Sequence, residues 1–247
     1  YFYEAARRTG IEKIAEMAKK FGLGHNYMLG ITGGKAGSVP NDEWKRANVK
    51  EKWYDGDTIS AGIGQGYVTS TPFQLAVMCS RIAGGHSVPN PKLIASGIPV
   101  PDQTIRELGE ISEKTLELVR DGMFAVTHGG TATRPQNLDP NNELPAPYTG
   151  AHMSGKSGSA QVRVIRMEER DSKGKAIAND KLEWKMRDHA LFVAYAPTDK
   201  PRYACAVVVE HGGSGSGVAA PFAKDILAHA LKYDPGAGKP FVPQKQE

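Results

Sequence analysis

The chain has 247 residues, enough for one large domain or two small ones, and its 40% hydrophobic residues suffice for a packed core. Its 31 basic and 27 acidic residues are dispersed and give a formal net charge of +4, which argues against a nucleic-acid-binding stripe. No run approaches the roughly 18 apolar residues of a membrane span. No histidines or cysteines have metal-ligand spacing, so we expect no metal and no cofactor. We interpret His152, His189 and His211 as structural histidines, and Cys79 and Cys205 as buried hydrophobic residues.

The first part of the chain is predicted to be helical. Four stretches carry apolar residues at helical spacing: "YFYEAARRTG", "IEKIAEMAKKFG", "TPFQLAVMCSRIAGG" and "ISEKTLELVRDGMFAVTH". The third has a proline in its first turn, and the fourth follows Ser112 as N-cap. Residues 23–57 are rich in loop formers, with Trp44 and Trp53 as packing anchors. We expect this helical part to cover residues 1–130.

The second part is predicted to be a sheet with a closing helix, over residues 150–233. Two apolar strands, "HALFVAYAP" and "RYACAVVVEHGG", are joined by the short turn "TDKP". The glycine-rich string "HGGSGSG" indicates a flexible entry to a last helix, and residues 234–247 indicate a disordered tail. Helices followed by sequential strands predict an α+β (mixed α/β) fold, an antiparallel sheet flanked by helices, within one folded region, 1–233.

The string "GAHMSGKS" (150–157) matches the P-loop pattern G-x-x-x-x-G-K-S. A P-loop needs a buried strand before it and a helix after it. The preceding stretch contains Pro140, Pro145 and Pro147, which exclude a buried strand there. The following stretch, "GSAQVRVI", has β-branched residues that favour a strand. The sequence therefore places Lys156 on a strand and disfavours a nucleotide site.

A lysine on a strand, written Lys-Ser-Gly, is the third signature of the penicillin-recognising serine enzymes. The chain resembles the C-terminal part of the transpeptidase domain of class B penicillin-binding proteins, and among them the cell-elongation enzymes. Five collinear stretches carry the resemblance: "WYDGDTISAGIGQGYVTSTPFQLA", "GMFAVTHGGTA", "KSGSAQV", "RDHALFVAYAP" and "AVVVEHGG". The resemblance implies a serine D,D-transpeptidase that cross-links peptidoglycan stem peptides and is acylated by β-lactams.

The resemblance also implies roles for four residues of the third signature. Lys156 would supply positive potential and help to relay a proton, and the hydroxyls of Ser157 and Ser159 would bind the substrate carboxylate. Gly158 would let the substrate lie close to the strand. The backbone N–H of Ser159, where relatives usually have Thr, would be half of the oxyanion hole.

A second, glycine-rich segment is open to two interpretations. Gly64, Gln65 and Gly66 could line the cleft beside the strand, and a packing turn explains the glycines equally well. As a dinucleotide fingerprint the segment fails, because Val68 and Thr69 stand where the third glycine and the helix start should be.

The nucleophile signature S-x-x-K and the second signature S-x-N are expected before Tyr1, on a segment that precedes this chain. The internal match, Ser172 to Lys175, lies in "EERDSKGKAIANDK", where the charged surroundings and Gly174 exclude a rigid helix N-terminus and a desolvated lysine. We interpret that stretch as a solvated insertion. This fragment alone is therefore expected to be inactive.

Partners and location follow from the resemblance only. The resemblance implies D-Ala–D-Ala stem peptides and β-lactams as ligands, and a lipid-linked glycan polymerase and other elongation-complex proteins as partners. It implies the periplasmic face of the bacterial inner membrane, with an N-terminal anchor. A non-catalytic penicillin-binding-fold partner or sensor module is the alternative, and a β-lactamase, a D,D-carboxypeptidase and a P-loop NTPase are weaker ones. Acceptor specificity and oligomeric state are left open.

Overall fold

The computed structural model describes residues 1–27, 34–88, 90–91, 108–109, 111–133, 137–163, 170, 172, 174 and 176–237. The described residues form two compact units, the first within residues 1–112 and the second within residues 113–237. The sequence predicted a disordered tail at residues 234–247, of which residues 238–247 lie outside the described residues. Asp234, the first residue of that segment, is buried in the fold.

The regular elements among the described residues of the first unit are helices, and three of the predicted helices are confirmed here. The N-cap hydroxyl of Thr71 accepts a hydrogen bond from the backbone N–H of Gln74 at 3.2 Å, which explains where the third of them begins. The helices are α1 (Phe2–Thr9), α2 (Ile11–Lys20), α3 (Asp42–Asn48), α4 (Asp55–Ala61) and α5 (Pro72–Gly84), followed by a 3-10 turn (Gly85–Ser87).

The structure corrects the interpretation of residues 23–57 as loop-rich, because α3 and α4 lie in or begin within this segment. Each has seven residues, too few for a clear apolar periodicity, and side-chain caps define their starts. The Asn41 side chain accepts from the N–H of Trp44 at 2.9 Å, and Asp57 accepts from the N–H of Tyr54 at 2.9 Å. The Trp53 indole N–H donates to Thr58 at 2.7 Å, so this tryptophan does anchor the segment.

The second unit contains the predicted antiparallel sheet, whose three described strands pair in chain order. Short 3-10 turns, Asn179–Lys181 and Trp184–Met186, precede the middle strand. None of the described helices in either unit is both long and apolar enough to cross a bilayer. The main elements are α6 (Glu113–His128), β1 (Ser154–Ala160), β2 (His189–Ala196), β3 (Tyr203–Val209), a π-helical turn (Gly215–Ala219) and α7 (Ala220–Lys232).

The core of the second unit lies between α7 and one face of the sheet. Small residues dominate both sides, so the helix can approach the strands closely. Cys205 packs against this core, and burial raises the pKa of its thiol to about 11. The residues that are less than 2% exposed include Ala190, Phe192, Ala194 and Ala196 of β2, and Ala219, Ala220, Ala223, Leu227 and Leu231 of the π-helical turn and α7.

Candidate functional site

The Lys-Ser-Gly triplet lies on β1, as predicted, and β1 is an edge strand. Lys156, Ser157 and Gly158 stand opposite Val193, Phe192 and Leu191 of β2. Among the described residues, no strand pairs with the other side of β1. Alternate residues of such a strand direct their backbone N–H and C=O groups away from the sheet. An extended peptide can therefore add to this edge.

Lys156 is exposed, and its ammonium group folds back on its own strand. The Nζ atom donates to the carbonyl oxygen of Ser157 at 2.9 Å and lies 3.5 Å from the Ser157 hydroxyl. Within the described part of the chain, no ion pair joins Lys156 to a carboxylate. Its positive charge is therefore available to an anionic group that binds along the edge.

Side-chain alternation divides the site between the two faces of the strand. Ser157 and Ser159 lie on one face, and Lys156 and Gly158 lie on the other. Ser157 is partly exposed and Ser159 is exposed. Because β1 is at the edge of the described sheet, a ligand along it can reach both hydroxyls and the lysine.

The two glycines of β1 differ in what their surroundings require. A Cβ atom on Gly155 would lie 2.5 Å from the Phe192 ring and 2.6 Å from the Val193 carbonyl oxygen, so packing excludes any side chain there. A Cβ atom on Gly158 would meet Leu191 at 3.4 Å, an ordinary contact. The described interior therefore does not require glycine at 158, which favours a functional reason for it.

Buried hydroxyls fix the first residues of β1. The Thr127 hydroxyl, at the end of α6, donates to the carbonyl oxygen of Met153 at 2.9 Å, and the Ser154 hydroxyl bonds to that of Thr198 at 2.9 Å. Thr127, Met153 and Ser154 are 0% exposed. The strand thus enters the site from a rigid, buried anchor.

Comparison with known protein families decides the classification. The family described as "Penicillin binding protein transpeptidase domain" matches residues 1–228. The chain belongs to this family. The fold class and family expected from the sequence are confirmed.

Three similar proteins refine the assignment. Peptidoglycan D,D-transpeptidase MrdA of Escherichia coli K12 is 34% identical over 240 residues, which are 95% of this chain and 36% of that protein. The structure of Pseudomonas aeruginosa PBP2 in complex with WCK 5153 matches with a TM-score of 0.73 and 34% identity, over 94% of this chain and 45% of that one. The structure of Helicobacter pylori PBP2 in complex with MreC matches with a TM-score of 0.71 and 26% identity, over 94% of this chain and 38% of that one. The chain thus spans little more than a third of the E. coli relative.

The glycine-rich candidates, Gly64, Gln65 and Gly66, belong to the first unit, whereas β1 belongs to the second. They form a turn after α4, in which the N–H of Gln65 donates to the carbonyl oxygen of Ser60 at 2.9 Å. Gly64 and Gly66 have φ angles of 73° and 71°, which favour glycine. Their place in a tight turn supports the packing interpretation, and their role as cleft-lining residues stays a prediction.

The predicted structural histidines and the Ser172 stretch form no catalytic arrangement among the described residues. The N–H of His211 donates to Nδ1 of His189 at 2.9 Å. In the described ranges, no group of histidine, cysteine and acidic side chains has the geometry of a metal site. Ser172 is exposed, and Lys173 and Lys175 lie outside the described residues.

One buried carboxylate that supports the unit, Asp139, was missed by the sequence interpretation. Asp139 accepts backbone N–H groups from Glu143, Leu144 and Gly150 at 2.5, 3.0 and 2.9 Å, and so shapes the loop that leads into β1. Burial alone would raise the pKa of Asp139, but these hydrogen bonds outweigh it and lower the pKa. Asp-Pro at 139–140 is a turn signal that could have identified this loop.

Proposed function

We propose that the protein containing this chain is a serine-type peptidoglycan D,D-transpeptidase, and that β1 is the strand on which its donor stem peptide binds. The observation that carries the proposal is the exposed Lys156-Ser157-Gly158 triplet on an edge strand, with a glycine that packing does not require. The named transpeptidase relatives support it, and they give no support to a non-catalytic binding module.

In the proposed reaction, a serine hydroxyl attacks the carbonyl carbon of the D-Ala–D-Ala amide. The amide C–N bond breaks, the terminal D-Ala leaves with the serine's proton, and an acyl-serine remains. The amine of a second stem peptide then attacks this ester, forms the cross-link and returns a proton to the serine. The nucleophile in S-x-x-K stays a prediction from the sequence.

The residues of β1 are proposed to bind and orient the donor. The substrate carboxylate bonds to the hydroxyls of Ser157 and Ser159, and Lys156 supplies the opposite charge and a proton-relay group. Gly158 leaves room for the peptide backbone, and the N–H of Ser159 donates to the developing oxyanion. Each oxyanion donor contributes about 3–4 kcal/mol to transition-state stabilisation.

The location and partners are proposed on the same basis. We place the protein at the periplasmic face of the bacterial inner membrane, with a glycan polymerase and elongation-complex proteins as partners. The complex of Helicobacter pylori PBP2 with MreC supports an assembly of this kind. The proposed domain boundary places residues 1–233 in the transpeptidase domain.

The direct test is acylation of the full-length protein that contains this chain by benzylpenicillin, followed by intact mass and peptide mapping. We expect a mass increase of one penicillin, on a serine within an S-x-x-K sequence. Lys156→Ala is expected to lose this adduct, and Lys200→Ala, which removes an exposed lysine from the β2–β3 turn, is expected to keep it. Absence of an adduct on the wild-type protein would overturn the proposal, and an adduct on Ser172 would overturn the assignment of the nucleophile.

A further inference from the structure

The glycine-rich string "HGGSGSG" forms a packed turn rather than the flexible entry that the sequence indicated. Ser214 caps the π-helical turn, since its hydroxyl accepts from the N–H of Gly217 at 3.0 Å and its carbonyl oxygen accepts from the N–H of Val218 at 2.8 Å. Gly215 is buried at the start of this turn. Its φ lies outside the left-handed region, so backbone conformation does not demand glycine there.

Space, rather than conformation, demands glycine at 215. A Cβ atom on Gly215 would lie 2.5 Å from the carbonyl oxygen of Leu191, and 2.6 and 3.1 Å from the carbonyl oxygen and nitrogen of Gly158. All three are backbone atoms, which cannot rotate away as a side chain can. Gly158 and Leu191 stand opposite each other in the β1–β2 pair, so Gly215 lies against the backbone of the Lys-Ser-Gly triplet.

We infer that Gly215 is a positioning residue for catalysis: its lack of a side chain sets the position of β1 at Gly158 and Ser159. The inference rests on the proposed transpeptidase function. Gly215 touches no substrate in this arrangement and acts through the backbone of the strand that binds it.

The direction of the strain follows from the packing on either side of the contact. Ala219, Ala220 and Ala223, which follow Gly215 along the chain, are 0% exposed in the core with β2, so a shift of the turn would disrupt tight packing. In contrast, β1 pairs with a strand on only one side among the described residues. A methyl group at 215 therefore pushes β1 outward at Gly158, and the neighbouring N–H of Ser159 moves with it.

The test compares Gly215→Ala with the wild-type protein in full-length form, by stopped-flow acylation with a chromogenic penicillin. We expect the acylation rate constant to fall about 10- to 100-fold, because displacements of an ångström in a catalytic array have effects of this size. The dissociation constant of the non-covalent complex should change much less, since an intact lysine and both hydroxyls still attract the carboxylate.

Two controls separate positioning from loss of stability. Gly217→Ala makes the same change in the same turn, but its Cβ atom meets only the Ser214 side chain, at 2.9 and 3.4 Å. Leu227→Ala removes a 1%-exposed core side chain of α7 away from the contact. Because Gly217→Ala presses on the Ser214 hydroxyl, we expect it to lower the rate constant at most about two- to fivefold. We expect Leu227→Ala to lower the melting temperature and keep the rate constant.

If Gly215→Ala does not fold, Ser214→Ala decides, because it loosens the cap without adding an atom. Its rate constant should fall about two- to fivefold through the loss of the cap. A wild-type rate constant in folded Gly215→Ala, or in Ser214→Ala if that is the only folded variant, would overturn the inference. Failure of the wild-type protein to be acylated would instead overturn the proposed function.

Discussion

Two charged residues of the second unit, Lys156 and Asp234, differ in almost every physical respect. Lys156 is exposed on the edge of the described sheet and donates to Ser157 of its own strand. The Asp234 side chain is 0% exposed, just beyond the end of α7. An exposed cation costs little to maintain and remains available to a ligand, whereas a buried carboxylate needs partners for every acceptor. The difference separates a residue that we propose binds the ligand from one that we expect to stabilise the fold.

The partners of Asp234 come from two distant parts of the chain and from the turn that follows it. The Arg202 guanidinium donates to both carboxylate oxygens at 2.9 and 3.3 Å, the Tyr203 hydroxyl donates at 2.7 Å, and the Tyr148 hydroxyl and the Gly236 N–H complete the set. Burial alone would raise the pKa of Asp234, but these donors outweigh it and hold the pKa well below its usual range. The cluster therefore ties α7 to β3 and to the loop before β1.

Substitution of Lys156 should have the largest effect and should fall on chemistry alone. We expect Lys156→Ala to lower the acylation rate constant by about 10²- to 10⁴-fold, the range for loss of a positioned proton-transfer group. The melting temperature should stay at the wild-type value, because no ion pair within the described residues is lost. Stopped-flow acylation and differential scanning calorimetry measure the two quantities. A large fall in melting temperature would mean that Lys156 stabilises the fold, and the contrast between Lys156 and Asp234 would be wrong.

Substitution of Asp234 should produce the opposite pattern. We expect Asp234→Ala to lower the free energy of unfolding by about 3–5 kcal/mol, because it leaves the partly buried Arg202 guanidinium and two tyrosine hydroxyls without their shared acceptor. Urea unfolding measures this loss, and acylation at a temperature where the variant is folded should remain close to wild type. Asp199→Ala, at an exposed turn, is the matched control. An acylation defect in folded Asp234→Ala would show that the cluster also controls the site.

Local sequence patterns explain which parts of the fold and of the candidate site could be predicted from the sequence and which could not. The apolar runs of β2 and β3 have short-range signals, so these strands were predictable. The strand at Lys156 was predicted from β-branched residues that begin at Val162, whereas β1 ends at Ala160. Asp234 pairs with residues 32 and 86 positions away, and no local pattern reports such a pairing. The close contact of Gly215 likewise depends on the tertiary packing of the turn against β1 and β2.

The two glycines of β1 allow a smaller test of the same contrast. We expect Gly155→Ala to lower the free energy of unfolding by about 1–3 kcal/mol, because its methyl group overlaps the Phe192 ring and the Val193 carbonyl oxygen. Gly158→Ala should leave stability unchanged within about 0.5 kcal/mol, since its methyl group makes only ordinary contacts. It should nevertheless slow acylation, because in the proposed complex the methyl group would project toward the donor peptide. Equal loss of stability in both variants would remove the argument that Gly158 is there for the ligand.

The pH dependence of stability should report the Asp234 cluster. A carboxyl whose folded pKa is depressed contributes stability above its unfolded pKa of about 3.9 and loses it as pH falls toward the folded value. Burial and the hydrogen bond to Asp234 raise the pKa of Tyr148 to about 12, so its contribution is complete below about pH 10 and is lost as pH rises toward 12. Urea unfolding between about pH 3 and pH 11 should therefore show stability falling at both ends.

The substitution Asp234→Asn should flatten the acid limb, which is the fall in stability at low pH, because the group that titrates there is gone. Asp199→Asn is the control and should leave the acid limb intact. If the acid limb of Asp234→Asn is as steep as that of the wild type, other carboxylates cause the acid sensitivity. The proposal that the Asp234 cluster stabilises the fold would then be wrong.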